Sequence, residues 1–230
     1  MGCSSSDINN SKKDEEIKKE TESNIKTFEY GRYIGELKKN KMEGKGAFYY
    51  DNGDKYEGDY KNDKKEGKGK YYYKNGNRYE GDFKNDQFDG QGKFFWNNGD
   101  KFEGQYKNGK MNGKGIYYYL NGDKYDGDWK NDIREGKGIL YWVNGNRYEG
   151  EYKNDIREGK GIIYFKNGNK YEGQFKNGCA EGKGKLFFHT GDRYEGEFKN
   201  DKLDGKGIFY FKDGRTEKQF YQEDKLISAN

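Results

Sequence analysis

The chain has no proline, a single histidine and only two cysteines among its 230 residues. With no proline, its turns fall to glycine and asparagine. His189, set among scattered acids, cannot assemble a nucleophile, a base and an orienting group, so catalysis is not expected and no catalytic residue is named. Cys3 and Cys179 cannot build a disulfide framework, which implies a reducing compartment. The longest apolar runs, such as Ile139–Val143, are far too short to cross a bilayer. No apolar segment of a signal peptide follows Met1. The expected location is therefore the cytoplasm or the cytosolic face of a membrane.

Charge of one sign is also missing. Lys and Arg number 45 against 41 acids, a net charge of +4 with both signs interspersed. That balance lacks the basic footprint of a nucleic-acid binder. Aliphatic residues are scarce, and the apolar content rests on 18% aromatics. A disordered chain would lack those rings. A compact core of this length would want more aliphatic volume. A thin extended array satisfies both conditions, because tyrosine covers a sheet while its hydroxyl stays wet.

What the chain does have is a period. A Gly-x-Gly starts at Gly44 and returns every 23 residues: Gly67/Gly69, Gly90/Gly92, Gly113/Gly115, Gly136/Gly138, Gly159/Gly161, Gly182/Gly184 and Gly205/Gly207. An aromatic-acid-Gly triplet keeps the same phase, as at Tyr56-Glu57-Gly58 and Tyr79-Glu80-Gly81. A strict period without insertions marks an array whose units pack on their neighbours.

Within one unit, 56–78, Tyr56, Gly58 and Tyr60 alternate with Glu57, Asp59 and Lys61, the period of a half-buried strand. Gly67, Gly69, Tyr71 and Tyr73 alternate with Lys68, Lys70, Tyr72 and Lys74 in a second strand. Residues 62–66 form a polar turn between them, and Asn75-Gly76 supplies positive-φ residues between units. Each unit is thus a β-hairpin, and the chain is expected to be all-β: an elongated, twisted antiparallel meander of eight hairpins without a helix. The glycines lie on the aromatic face, where they leave room for rings to lie flat on the backbone. Another column points to the opposite, charged face: Tyr72, Phe95, Tyr118, Tyr141, Tyr164 and Phe187. These six are the candidate interaction face.

The pattern YEGxYKNxxxxGKGxYxxxNGxx resembles the MORN repeat (membrane occupation and recognition nexus), and it covers residues 33–216. The resemblance implies a binding or scaffolding protein. It also brings two further expectations known for such repeats, a cytoskeletal or ciliary structural role and contact with anionic phospholipid. The small net charge of each repeat weakens the lipid reading. After Asp213-Gly214 the pattern is lost, and 217–230 is expected to cap the array.

Met1-Gly2-Cys3-Ser4-Ser5-Ser6 fits an N-myristoylation pattern with Gly2 as acceptor, and Cys3 is a natural palmitoylation site beside it. One acyl chain anchors only marginally, and residues 1–27 carry five Lys against six acids, so no polybasic patch can serve as the second signal. Residues 1–27 are read as an acylated flexible tether and 28–216 as the array. The expected partners are proteins, a membrane reached through the acyl chains and, through the C-terminal edge, a second copy of the chain. Phe28-Glu29-Tyr30 is expected to shield the other edge. No cofactor or metal is expected: Asp51-Asn52-Gly53-Asp54 lacks the spacing of a calcium loop. Lys68 between its glycines lacks the strand-loop-helix setting of a phosphate loop.

Overall fold

The computed structural model describes residues 24–230, and among these it contains nineteen strands, all antiparallel, and no helix. Gly2 and Cys3 lie outside the described residues. The chain divides into two compact units. Among the described residues, the first comprises 24–97 together with 107–109, and the second 98–106 with 110–230. Each unit is an open meander of the expected hairpins.

The hairpin of 56–78 shows how the sequence makes the element. Strand Lys55–Lys61 pairs with Lys64–Tyr72, which pairs in turn with Arg78–Lys84. The turn between the first two is shorter than the sequence suggests. It is Asn62-Asp63 alone, both at positive φ (49° and 67°), the geometry whose twist matches paired strands. In the connection to the next hairpin only Gly76 has positive φ; Asn75 does not.

The two glycines of Gly-x-Gly do different work. Gly58, Gly69 and Gly81 sit opposite one another in register, and the Tyr56 ring lies across Gly69. A Cβ on Gly69 would come within 2.6 Å of that ring. Tyr56 is fully buried and donates its hydroxyl to the Asp59 carbonyl at 3.0 Å. Gly67, by contrast, is not under the rings. Gly58 faces Gly69 but Tyr60 faces Lys65, so Asp59 stands opposite three residues. The bulge requires a left-handed residue, Gly67 at φ +67°, and the Asp59 carboxylate accepts the Lys68 N–H at 2.9 Å beside it.

The same division runs through the array and corrects the expectation that both glycines lie beneath rings. Only the second does. Gly92 lies under the Tyr79 ring, Gly115 under Phe102, Gly138 under Tyr125 and Gly161 under Tyr148, each too close to its ring to accept a Cβ. Gly184 and Gly207 repeat the contact under Tyr171 and Tyr194. Gly92, Gly115, Gly138 and Gly161 are themselves buried beneath the rings they seat. The first glycine of each pair, at 90, 113, 136, 159, 182 and 205, has positive φ as Gly67 does.

In each unit the core centres on a row of edge-to-face rings. Tyr56 meets Tyr60 at 5.2 Å and Phe83 of the next hairpin at 4.9 Å. In the second unit Tyr125–Tyr152, Tyr148–Phe175 and Tyr171–Phe198 repeat the motif. Each pair contributes about 0.5–1.5 kcal/mol beyond the area it buries. Burial pushes the Tyr33 hydroxyl up to about 12, so it stays protonated and donates to the Glu36 carbonyl at 2.8 Å.

Hairpins are also latched by polar turn residues to the neighbouring repeat. Asp63 accepts the Met42 N–H at 2.8 Å, and Glu43 accepts the Asn62 N–H at 2.9 Å. At the other end of the hairpin Asp54 accepts the Lys74 N–H at 2.8 Å and the Tyr71 hydroxyl at 3.0 Å. The Asp51–Asp54 loop is therefore occupied by its own neighbours.

Strands begin at Ile25–Phe28, earlier than the expected boundary at 28, and continue beyond 216. Thr216–Gln222 pairs with Lys202–Tyr210, and Lys225–Ala229 pairs with Thr216–Gln222. Tyr221 packs on Tyr194 edge to face at 5.5 Å, as Phe83 does on Tyr56. Gln219 stands where the glycine row would continue, opposite Gly207, and is buried. The tail is thus a degenerate ninth hairpin, whose last strand is exposed along its whole length.

Candidate interaction surfaces

The face opposite the core is built in three rows. In the first, each hairpin begins with a base immediately before its aromatic-acid-Gly triplet, and pairing sets that base beside the middle aromatic column. Tyr72 faces both Lys55 and Arg78 across the strands. The Arg78 guanidinium lies 4.3 Å from the Phe95 ring. In the second unit Lys101, Lys124, Arg147 and Lys170 lie 4.2 Å from the rings of Tyr118, Tyr141, Tyr164 and Phe187. The six columnar aromatics are therefore half-buried partners in a cation–π ladder. The bases are held a second time by carboxylates: Arg78 by Glu80 at 3.0 Å, Lys101 by Glu103 at 3.0 Å and Arg193 by Glu195 at 2.7 Å. The ladder was missed in the sequence, although a base precedes the aromatic at 55, 78, 101, 124, 147, 170 and 193.

The second row distinguishes the units. In the first unit it alternates Lys and Glu, as in Lys70 facing Glu80, their charges 3.7 Å apart. In the second unit Ile116, Ile139, Ile162 and Ile208 take the Lys place, the first three facing Asp126, Glu149 and Glu172, while Lys185 keeps it, 3.3 Å from Glu195. The third row sets Lys114 against Asp128 (2.6 Å), Lys137 opposite Glu151 and Lys183 opposite Glu197. In the second unit these rows line a groove of about 1680 Å³, with glycine backbone between the rows and Tyr210 and Phe220 near its C-terminal end.

Elsewhere the site chemistry is sparse. Lys68 is paired with Asp82 at 2.6 Å, and His189 is exposed with its N–H donated to Asn169 at 2.9 Å. Cys179 is free and half-buried, and burial pushes its thiol up. Among the described residues, no group of three or more His, Cys, Asp or Glu side chains could hold a metal ion.

None of the curated proteins compared with the chain matches it significantly. Solved structures do. The wild-type TCP10 domain of Danio rerio CPAP is 13% identical, with 90% of this chain and 98% of that chain covered and a TM-score of 0.53. The Drosophila melanogaster SAS-4 (dCPAP) TCP domain, solved with a proline-rich motif of Ana2 (dSTIL), is 19% identical over 66% of this chain and 83% of that chain, with a TM-score of 0.44. At such identities the likeness to the Danio rerio domain is one of fold. The MORN repeat model matches at 33–55, 56–78, 79–101, 102–124, 125–147, 148–170, 171–193 and 194–214. With its hairpins and its glycine-borne rings in the same frame, the chain belongs to the MORN repeat family.

Proposed function

We propose that this chain is a non-enzymatic scaffold that binds a protein partner along the grooved face of its second unit. The observation that carries the reading is the isoleucine row: Ile139 and Ile162 line the groove between charged rows, and Ile116 continues their line. A face meant only for solvent would keep the Lys–Glu alternation of the first unit. An apolar strip rimmed by ordered charge is the anatomy of a protein interface. Direct binding of anionic headgroups fits less well, because the bases of the ladder are already committed to rings and carboxylates.

In this reading, acyl groups on Gly2 and Cys3 hold the scaffold to the cytosolic face of a membrane. Two chains are needed for stable attachment. The test is a cross-linked pull-down from membranes with four proteins: wild type, Gly2→Ala, Cys3→Ser and the pair Ile139→Lys with Ile162→Lys. The lysine pair is expected to lose the bound protein and stay on the membrane. Gly2→Ala is expected to leave the membrane and keep the partner, and Cys3→Ser to attach weakly. Membrane retention of Gly2→Ala would show that the array itself binds lipid. Undiminished capture by the lysine pair would remove the groove from the interface.

A further inference from the structure

The core face of the second unit carries a pocket of its own, about 370 Å³ in volume, away from the groove. It arises from a local break in the repeat. The residue before each Glu/Asp/Asn-Gly of the second strand is Met42, Lys65, Phe88, Met111, Arg134, Arg157, Ala180 or Leu203. Ala180 alone stops at Cβ. The ring column beside it thins at the same place. In the first unit rings touch continuously from Phe48 through Tyr50, Tyr71, Tyr73 and Phe94 to Trp96, centroids 4.5–5.9 Å apart. In the second unit Leu140, Ile163 and Leu186 replace the rings, and ring contact resumes at Phe188–Phe209.

The walls are set in place. Ala180, Tyr171 and Phe198 line the pocket and are buried, and Trp142 and Phe165 flank it. At the rim Arg157 donates to the Gly178 carbonyl and sits over the Trp142 ring, and Asp201 accepts the Ala180 N–H at 2.7 Å. The array itself shows what such a space holds. In the repeat 79–101 the same position is Phe88, whose ring stacks on Tyr79 at 3.7 Å with an 11° tilt and meets Phe83 edge to face at 5.4 Å. Tyr171 and Phe175 are the equivalents of Tyr79 and Phe83, and they wait beside Ala180 without that ring.

We propose that this pocket is a docking site for one phenylalanine-sized side chain presented by a partner polypeptide, which stacks on Tyr171 as Phe88 stacks on Tyr79. The site is independent of the groove, since it lies on the other face. An apolar ring entering a preformed apolar pocket gains area burial without first rearranging the walls.

The test uses the full-length protein, isotope-labelled for NMR, and the blocked tripeptide acetyl-Gly-Phe-Gly-amide, with acetyl-Gly-Ala-Gly-amide as control. One side chain supports a dissociation constant on the order of millimolar. The expected result is saturable shifts at Ala180, Trp142 and Phe165 with the Phe peptide and none with the Ala peptide. Ala180→Phe and Ala180→Met, which copy Phe88 and Met111, are expected to abolish those shifts and to raise the thermal midpoint by a few degrees. Absence of saturable shifts overturns the proposal, as does equal binding by the filled variants. A lowered midpoint in both variants would show that the space is not there. Binding of toluene while the tripeptide is excluded would show a mouth closed to polypeptides, which also overturns it.

Discussion

The two units are written in one 23-residue frame and yet finish their surfaces differently. Both keep the buried tyrosine row and the glycines beneath it. The first closes its core face with a ladder of rings and covers the opposite face with Lys–Glu pairs. The second replaces Tyr71-type rings by Leu140, Ile163 and Leu186, and Lys70-type bases by Ile116, Ile139 and Ile162. The frame constrains only those side chains that a ring, a bulge or a latch touches. Positions outside that set are free to differ, and the differences collect in the second unit on both of its faces.

The largest effect should show that the shared frame is equally strict in both. Tyr56→Ala and Tyr148→Ala each remove a buried ring from above a glycine, and each is expected to cost about 3–5 kcal/mol in urea unfolding. A mild effect in one unit only would mean that its core depends on other contacts. Next come Gly69→Val and Gly161→Val, whose side chains would collide with the Tyr56 and Tyr148 rings; about 1–3 kcal/mol is expected for each.

A smaller effect separates individual repeats by pH. Burial by itself would raise the Asp54 carboxyl, but hydrogen bonds from the Lys74 N–H, the Tyr71 hydroxyl and the Asn52 amide outweigh it and hold the group below the usual carboxylate range. A group depressed in the folded state stabilises above its unfolded value and loses that contribution as pH falls through the folded one. The equivalent position is Asp in some repeats (Asp100, Asp123 and Asp192) and Asn in others (Asn77, Asn146 and Asn169), so the pH dependence belongs to the repeats that carry the Asp. Asp54→Asn is therefore expected to cost about 1 kcal/mol near pH 7. Its thermal midpoint should converge with that of the wild type below about pH 4, the ordinary aspartate value. A gap that stays constant down to pH 3 would refute the linkage. The smallest effect on stability is expected for Ile139→Lys, within about 0.5 kcal/mol, because the first unit already tolerates Lys there. A large destabilisation would mean that the isoleucine row holds the sheet together rather than serving a partner.

Much of this fold was legible in the sequence, for physical reasons that can be named. Period 2 within strands and period 23 along the chain identify hairpins, and glycine beside a column of rings identifies the core face. The bulge at Gly67 was not legible, because alternation alone places it under the rings with Gly69; only a left-handed backbone sets it apart. The latches Asp63 and Asp54 were read as turn residues, since a short motif does not say whose N–H a carboxylate will meet twenty residues away. The six columnar aromatics were assigned to the correct face, but their cationic partners were not, because cross-strand neighbours are distant in sequence. The tail keeps only an echo of the pattern at Gln219-Phe220 and was read as a cap; it forms one more hairpin, with Tyr221 packed on Tyr194.

The latches cross each junction between repeats in both senses. The N–H of Met42 reaches forward to Asp63, and the Tyr71 hydroxyl reaches back to Asp54. During synthesis a hairpin that has left the ribosome therefore still lacks its last partners until the following turn emerges. At about 5–20 residues per second, that delay is roughly one to five seconds per repeat. The nascent array should settle one hairpin behind the exit, each newcomer sealing its predecessor while an N–H of its own second strand, as at Lys65, waits for Asp86 of the next turn.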